Sequence, residues 1–493
     1  EKQYGGTTSL ACYALLTAGE EWQQNPKLQK PLEFLAAQND MNGTYAVGLR
    51  AHVWPKLPDQ FLGELKEDAY LLVQGINSRG GYHYTLGASS YDNSCTQYGA
   101  LGAWECAKRG VPIPNSYWQK LQEHFIKGQS SDGGWAYVSG RNSNLTMTSA
   151  GLAVMYITLD YLNSGDFIRP GITQRHPVYS RILKGLDAFE NHFSVTTNGY
   201  AAVGIERVGL ASGRKFFKGK DWYQEIATRY VAKMGKQGIG GGRGNAVETS
   251  FALVFLSRGR VPVFANKLEI PDYDWDNRPR DLANVTQWAS DEFEVALNWQ
   301  IVGMNSNPEL WLDSAVLYLA SHRPLELNED QKNKLRRYID LGGTLVINPD
   351  GGDRRFIRSV IDTFEGMYPY KFEDVGLNDD IYSINYHVER DQSVKSLNNG
   401  VRHLVLVLGK DAGADWQTNR QRDPSPWYLM ANIFQYAIEK SQPRARLEQH
   451  VDVRDGKADN TIHIARASYD GNWNAEPLAW DRTDVFAVNA GKA

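Results

Sequence analysis

Six helix openings recur along the first half of the chain, at a period near fifty residues. Each opening is a short turn followed by a helical run with small residues on one face. Equivalent positions in successive runs are separated by 38, 49, 52, 54 and 48 residues. These positions are Thr7, Tyr45, Ser94, Thr146, Tyr200 and Glu248. The spacing predicts a repeat of helix pairs.

Two kinds of helix alternate within this repeat. The runs after the openings, such as 150–155 and 251–256, are apolar nearly all round, which is typical of inner helices. The runs between them have one charged face and are predicted to be outer helices. They cover residues 27–37, 61–76, 116–127, 179–189 and 222–233. Six inner helices with outer partners can close into a ring.

The turn Asp132-Gly133-Gly134-Trp135 has weaker versions at Gly80-Gly81-Tyr82 and Gly240-Gly241-Gly242. This pattern resembles the repeat of squalene cyclases and prenyltransferases. The resemblance covers roughly residues 1–265 and implies an all-α toroid of helical hairpins. The glycines permit a tight turn, and we expect Trp135 or Tyr82 to wedge between neighbouring hairpins.

The acid that the resemblance implies for a cyclase is missing. Cyclases of this family protonate an alkene with an Asp-x-Asp-Asp motif, and residues 1–265 contain none. The sequence Asp274-Trp275-Asp276-Asn277 is similar to this motif. It follows the last inner helix in a Pro- and Asp-rich stretch. We expect solvent there to keep the pKa of its carboxyl groups near the usual value, so we interpret it as a turn.

The zinc site of a prenyltransferase is also incomplete. That family holds zinc with Asp-x-Cys and a distant His, whereas Asp92-Asn93-Ser94-Cys95 has one residue too many. A third ligand to Asp92 and Cys95 would have to be His83 or His52. We therefore expect Asp92 to be a helix N-cap and expect neither a metal nor another cofactor.

Polar and aromatic side chains lie at or near the predicted starts of the inner helices. Such a funnel suits a small molecule with hydroxyl or carboxylate groups, for example a carbohydrate, because tyrosine stacks on sugar rings and arginine binds anions. The candidates for this toroid funnel are Tyr45, Arg50, His52, Tyr84, Asp92, Gln97, Arg141, Glu206 and Glu248.

Two alternatives to a binding funnel remain open at this point. Glu206 with Arg207, and Glu248 with Arg243, can be satisfied structural pairs. A polysaccharide lyase would instead need a base beside a cationic neutraliser, for which Tyr84 or His52 with Arg141 would serve.

The periodicity changes after Val261-Pro262. Residues 266–280 are predicted to be a linker, and residues 281–442 a doubly wound, flavodoxin-like α/β domain with a parallel sheet. The predicted strands are 315–320, 344–348 and 401–408, and the predicted helices are 329–341 and 427–440.

The stretch 273–440 is similar to a bacterial domain family of unknown function related to ThuA-like and class I glutamine amidotransferase-like domains. Leu341-Gly342-Gly343-Thr344-Leu345 and Asp350-Gly351-Gly352 carry the likeness. True amidotransferases place a Cys on the turn after the strand. This chain has no Cys after Cys106, which argues against covalent amide hydrolysis.

The crevice at the strand ends of this domain can still bind a ligand. Its candidate residues are His322, Asp350, Asp353 and Trp416, each of which can alternatively serve in loop capping.

The tail repeats an earlier motif. Tyr469-Asp470-Gly471-Asn472-Trp473 echoes Tyr273-Asp274-Trp275-Asp276-Asn277. This predicts that residues 443–493 begin a second α/β copy, starting near His463, and that the chain continues beyond Ala493. The opening at Gly5-Gly6-Thr7 likewise suggests that a first outer helix precedes the chain.

Charge and composition exclude several classes of partner. The chain has 53 Lys+Arg and 57 Asp+Glu, a net charge of −4, without a basic block for nucleic acid. No apolar run predicts a membrane span. Three cysteines exclude a disulfide framework but leave one bridge from Cys12 open. The start at Glu1 rather than Met suggests a removed signal peptide and a bacterial periplasmic or other extracytoplasmic location.

These features together favour a non-catalytic ligand-binding or assembly protein with degenerate toroid and amidotransferase-like sites. Its partners would be a small molecule or carbohydrate, or other protein subunits. The alternative is a toroid enzyme that acts on a polysaccharide or, less favoured by the motifs, an isoprenoid cyclase or transferase.

Overall fold

The computed structural model describes residues 4–235, 238–239, 245–388, 392–448, 465 and 467–479. The described chain divides into two compact units. The helical unit comprises residues 1–165 and 174–260, and the sheet unit comprises residues 166–173 and 261–493. The third repeat turn at Gly240-Gly241-Gly242, Arg243 and the predicted second-copy start at His463 lie outside the described residues.

The helical unit contains inner and outer helices in alternation. The inner helices are α1 (Gly6–Thr17), α3 (Thr44–Arg50), α5 (Asn93–Lys108), α7 (Leu145–Leu162), α9 (Gly199–Ser212) and α11 (Ala246–Gly259). The outer helices are α2 (Pro26–Ala36), α4 (Leu62–Gly75), α6 (Asn115–Gly128), α8 (Tyr179–His192) and α10 (Trp222–Lys233). Two-residue strands pair as β1 (Phe216–Phe217) with β2 (Lys220–Asp221), and as β3 (Met234–Gly235) with β4 (Gly238–Ile239). The predicted helix pairs are confirmed.

The inner helices contact one another in a cyclic order. Each packs against the next inner helix along the chain, and α11 packs against α1. Small residues permit these approaches. A Cβ added to Gly48 of α3 would lie 2.4 Å from the carbonyl oxygen of Tyr98 in α5. One added to Gly102 would lie 2.8 Å from the Cα of Gly48. The two helices therefore meet backbone to backbone.

The repeat turns before α5 and α7 have the same construction. Gly80 and Gly133 have φ of 76° and 89°, and a Cβ on either would lie within 2.4 Å of a carbonyl oxygen of the next outer helix. Two residues later, the amides of Tyr82 and Trp135 donate to threonine hydroxyls, at 3.0 and 3.2 Å. Only glycine satisfies both the backbone angle and the available space at these turns.

The aromatic residue of each turn packs on a glycine of the following inner helix. A Cβ on Gly99 would lie 2.7 Å from the Tyr82 ring, and one on Gly151 would lie 2.3 Å from the Trp135 ring. The Tyr82 hydroxyl and the Trp135 Nε1 each donate to a backbone carbonyl of the preceding outer helix, at 2.6 and 2.8 Å. The predicted wedge between neighbouring hairpins is confirmed for both residues.

Helix α7 is long and apolar enough to cross a membrane by composition alone, and 72% of it is buried. It packs against α5 and α9 as an inner helix. The hydrophobicity of α7 is that of a core helix, and its length and composition are weak evidence for a membrane span.

The sheet unit has one seven-stranded sheet in the order β6-β5-β7-β8-β11-β10-β9. Its strands are β5 (Val263–Glu269), β6 (Asn298–Gly303), β7 (Val316–Ser321), β8 (Thr344–Pro349), β9 (Phe372–Asp374), β10 (Val394–Asn398) and β11 (His403–Leu408). Strands β6, β5, β7, β8 and β11 are parallel, whereas β10 pairs antiparallel with β11 and β9. The sheet is therefore mixed, and the expectation of a wholly parallel sheet is wrong at this edge.

Helices cover both faces of the sheet. Helices α12 (Asp281–Glu292), α15 (Ala412–Gln417) and α16 (Ser425–Ala437) contribute to the core on one face. Helices α13 (Glu329–Asp340) and α14 (Arg354–Met367) contribute to the core on the other. Strand β5 ends at Glu269 and therefore overlaps the start of the stretch predicted as linker, 266–280. That prediction arose because prolines flank the apolar residues of this strand.

Residues 472–476 of the tail pack on the turn between β10 and β11. Arg402 forms an ion pair with Glu476 at 2.8 Å, and the Asn399 side chain donates to Glu476 at 2.7 Å. A second α/β copy in 443–493 stays a prediction.

Replacing Gly151 by alanine should displace the Trp135 ring and lower the free energy of unfolding by about 1–3 kcal/mol. The matched control is Gly63→Ala in α4, where a Cβ meets nothing within 4 Å and alanine favours the helix. Urea denaturation of both variants tests this, and equal stability of Gly151→Ala and the wild type would contradict the wedge.

Candidate functional site

Four tyrosines form a row across the starts of the inner helices. Tyr45, Tyr98 and Tyr200 belong to the first two turns of α3, α5 and α9, and Tyr84 lies in the loop before α5. Ring centroids are 6.1 Å apart for Tyr84 and Tyr45, 4.7 Å for Tyr45 and Tyr98, and 6.2 Å for Tyr98 and Tyr200. We call Tyr45, Tyr84, Tyr98 and Tyr200 the tyrosine cluster.

The cluster runs from solvent into the interior. Tyr84 is 43% exposed and Tyr98 only 1%. Tyr137, in the loop before α7, is 46% exposed. The exposed end of the cluster is an aromatic surface that a ligand can contact.

Polar groups line the deeper rings. The Gln97 amide donates to the Tyr200 hydroxyl, and Arg207 donates to the Gln97 carbonyl oxygen at 3.5 Å. The Arg207 guanidinium lies 4.9 Å from the centroid of the Tyr98 ring. Burial raises the pKa of Tyr45 and of Tyr200, so both phenols are neutral hydrogen-bonding groups at physiological pH.

The helix starts around the cluster are capped by acidic side chains. Asp92 is the N-cap of α5 and accepts from the Ser94 amide at 2.8 Å, as predicted. Glu248, in the first turn of α11, accepts from the Gly199 amide at 2.7 Å. These carboxylates are used in capping the helices.

Burial raises the pKa of Cys95 to about 12, which keeps the thiol protonated in the absence of a metal ion. Within the described part of the chain, no group of three or more His, Cys, Asp or Glu residues could hold a metal ion. Cys12, Cys95 and Cys106 are all free and buried, so the bridge left open for Cys12 is not formed.

Other residues predicted for the funnel lie elsewhere. Arg50 forms a buried ion pair with Asp68 at 2.6 Å and donates to the Gln38 carbonyl. Arg141 is exposed, with a backbone contact to Val138. His52 is 3% exposed and lies in the interior, whereas Arg141 lies at the surface. A base and a neutraliser formed by Tyr84 or His52 with Arg141 stays a prediction.

His52 and Glu206 are part of a deeper, buried set of polar groups. The His52 ring packs edge-on against Tyr13 at 5.1 Å, and burial lowers its pKa to about 4, which leaves it neutral. Glu206 lies 3.1 Å from Nε of Arg258 rather than pairing with Arg207 as considered above. Burial raises the pKa of Glu206, and the positive charge of Arg258 opposes this effect.

The second candidate site lies where β5, β7 and β8 end. The order of the parallel strands reverses between β5 and its neighbours β6 and β7, which is where open α/β sheets bind ligands. Asn277 connects the predicted residues here. Its Nδ2 donates to Asp350 at 2.8 Å and to Asp274 at 2.9 Å, and lies 3.3 Å from Nδ1 of His322.

Asp350 is the most perturbed carboxyl of this crevice. Burial raises its pKa to about 7, and the nearby charge of Asp411 adds to the effect. Asn348 donates to both carboxyl groups at 3.0 Å. Arg278 holds Asp411 at 2.6 Å. Asp350 therefore changes charge near neutral pH.

A buried lysine that the sequence analysis missed organises the same strand ends. Lys267 of β5 is 1% exposed and contacts Asp281 at 2.8 Å and Asp276 at 3.0 Å. The Tyr318 hydroxyl donates to Asp281 at 3.0 Å. Asp276 is thus 12% exposed and ion-paired. The stretch 274–277 is irregular rather than a turn, and the expectation that solvent surrounds it is wrong, because Lys267 pairs with its carboxylate.

Residues 166–173 cover this crevice. The Gly171 amide donates to Asn277 at 2.8 Å, and the Phe167 carbonyl accepts from Arg278 at 2.8 Å. Pro170 lies over Gly351, where an added Cβ would be 3.6 Å from its ring. The chain itself satisfies the polar groups that a ligand would need.

The two remaining crevice candidates have structural roles. Asp353 caps α14, accepting from the Arg355 amide at 2.8 Å, and its hydrogen bond with the Arg355 side chain lowers its pKa to about 2. Trp416 is fully buried, with its ring 5.8 Å from that of Tyr318. Of the four predicted residues, the structure brings together His322 and Asp350.

Among known protein families, residues 264–438 match the domain of unknown function DUF4159. The match covers most of the sheet unit but less than half of the chain. These comparisons identify no toroid or amidotransferase family, and a search of curated proteins finds no match.

The raised pKa of Asp350 predicts a pH dependence of stability. The unfolded carboxyl ionises near pH 4, but the folded one only near pH 7, so unfolding releases a proton between these values. The free energy of unfolding should therefore fall by about 1 kcal/mol per pH unit between pH 5 and 7, and this contribution should level off above pH 7.

Denaturation at pH 5, 6, 7 and 8 measures this slope in the wild type, in Asp350→Asn and in the control Asp353→Asn. Asp350→Asn should flatten the slope, whatever its effect on absolute stability. Asp353→Asn should leave the slope unchanged, because that carboxyl titrates below pH 4 in both states. Equal slopes in all three proteins would contradict the assignment.

Proposed function

We propose that this chain is a ligand-binding or assembly protein whose helical unit is an α/α-toroid that binds a carbohydrate on the tyrosine cluster. The observation that carries the proposal is the row of four rings, from Tyr84 at the surface to buried Tyr98. The cyclic contacts of the six inner helices support the toroid.

Carbohydrate is the ligand class that best suits these groups. The faces of sugar rings are apolar and pack on tyrosine faces, while their hydroxyls exchange hydrogen bonds with neutral phenols and amides. Tyr45, Tyr200 and Gln97 provide such phenols and an amide. The hydrocarbon tail of an isoprenoid would form no hydrogen bonds with these groups, which makes it the less suitable ligand.

Binding without catalysis is favoured by the state of the titratable groups. His52 is buried and neutral, Glu206 is paired with Arg258, and Asp92 and Glu248 cap helices. A general base needs a titratable group that reaches the substrate. The groups in and below the cluster are instead occupied in the fold.

The proposal treats the sheet unit as a flavodoxin-like domain with a degenerate amidotransferase-like site. Its parallel strands follow the order 2-1-3-4-5, and the turn after β8 carries Asp350 where an amidotransferase would carry a cysteine. Residues 166–173 occupy its crevice, which suits a structural or assembly role. A bacterial extracytoplasmic location, where polysaccharides are met, is part of the same proposal.

Replacing Tyr84 by alanine should weaken glycan binding about tenfold, because it removes the exposed stacking face, worth ~1.4 kcal/mol. The matched control is Tyr70→Ala, which removes a tyrosine that is 66% exposed on the outer helix α4. A glycan array, followed by calorimetry with the strongest hit, measures the effect. Absence of binding to every glycan, or equal losses in the two variants, would overturn the proposal.

A further inference from the structure

Arg207 is held in the tyrosine cluster by two weak contacts. Its guanidinium faces the Tyr98 ring at 4.9 Å and donates one long hydrogen bond, 3.5 Å, to Gln97. A guanidinium has five N–H donors and pairs best with a planar anion. Among the residues that the structure describes, no carboxylate forms an ion pair with Arg207. Its binding capacity is therefore largely unused.

The acidic side chains of the inner helices contact other groups. Glu206 of α9 lies 3.1 Å from Arg258, and Glu105 of α5 lies 2.9 Å from Lys108. Glu248 of α11 accepts from the Gly199 amide. None of these three carboxylates forms an ion pair with Arg207 in the described part of the chain.

The Tyr98 hydroxyl, beside Arg207, is a second hydrogen-bond donor that is not used. The Tyr98 side chain is 1% exposed, and its hydroxyl has no hydrogen-bond partner among the described residues. A buried hydroxyl without a hydrogen-bond partner is unfavourable for the folded state. This hydroxyl belongs to the ring that carries the Arg207 guanidinium, so an acceptor bound there would satisfy both residues.

From these contacts we infer that the ligand is an acidic saccharide whose carboxylate or sulfate binds Arg207 and the Tyr98 hydroxyl. The inference rests on the proposed function and adds the charge of the ligand to it. The sugar ring stacks on Tyr45 and Tyr84, and the anionic group enters the deeper end, where the donors lack acceptors.

The test is binding to an array that displays neutral, uronic-acid and sulfated oligosaccharides. We expect binding to anionic glycans. Comparing the uronic-acid with the sulfated oligosaccharides identifies whether the bound anion is a carboxylate or a sulfate. If the strongest hit is a uronic-acid hexasaccharide, its methyl ester should bind at least tenfold more weakly, because esterification removes the charge. This comparison needs only the wild-type protein.

Variants assign the effect to Arg207. Arg207→Gln should weaken anionic-glycan binding tenfold or more and reduce its salt dependence, whereas Arg207→Lys should retain part of the affinity. The control Arg109→Gln removes a surface arginine paired with Asp59 and should bind like the wild type.

The outcomes separate the two proposals. Equal binding of acid and ester, or binding to neutral glycans alone, would overturn the inference and leave carbohydrate binding in place. An unchanged anionic affinity in Arg207→Gln would also overturn it. Failure to bind any glycan class would overturn the proposed function and the inference together.

Discussion

The packing of aromatic rings on glycines of the inner helices is the constraint on which the helical unit depends. Gly99 under Tyr82 and Gly151 under Trp135 leave no room for a Cβ, and the same rings are tied to outer helices by hydrogen bonds. Each repeat turn thereby sets the distance between an outer helix and the next inner one. Because the turn at Gly80-Gly81-Tyr82 precedes α5, it also positions two members of the tyrosine cluster, Tyr84 and Tyr98.

Buried polar atoms without hydrogen-bond partners occur in both units. At the strand ends of the sheet unit, Lys267, Asn277 and Arg278 bond to neighbouring side chains and to residues 166–173, but the Arg278 Nε has no partner among the described residues. In the helical unit, the Tyr98 hydroxyl has none and Arg207 makes one long hydrogen bond. Unsatisfied donors are costly in a protein interior unless a ligand supplies the acceptor. The proposal of a binding site in the helical unit therefore depends on the position of Tyr98 beside Arg207 and the other rings of the tyrosine cluster.

Local patterns predicted the elements well and their contacts poorly. Helix starts at Thr44, Asn93 and Leu145 follow from turn glycines, caps and apolar periodicity, which act over a few residues. Arg50 was expected in the funnel because it is close in sequence to Tyr45, but it is buried against Asp68, on another face of the short helix α3. The edge strand β9 and its neighbour β10 were missed because they are short and rich in polar residues.

By itself, the sequence determined the repeat, the change to alternating strands and helices near residue 261, and the absence of a cysteine after Cys106. These depend on periodicity and composition. Only the tertiary structure decided that Tyr45, Tyr84, Tyr98 and Tyr200 meet, that Glu206 pairs with Arg258, and that residues 166–173 fill the crevice of the sheet unit. The physical reason is that these contacts join residues up to more than a hundred positions apart, and their geometry is set by the packing of whole helices and strands.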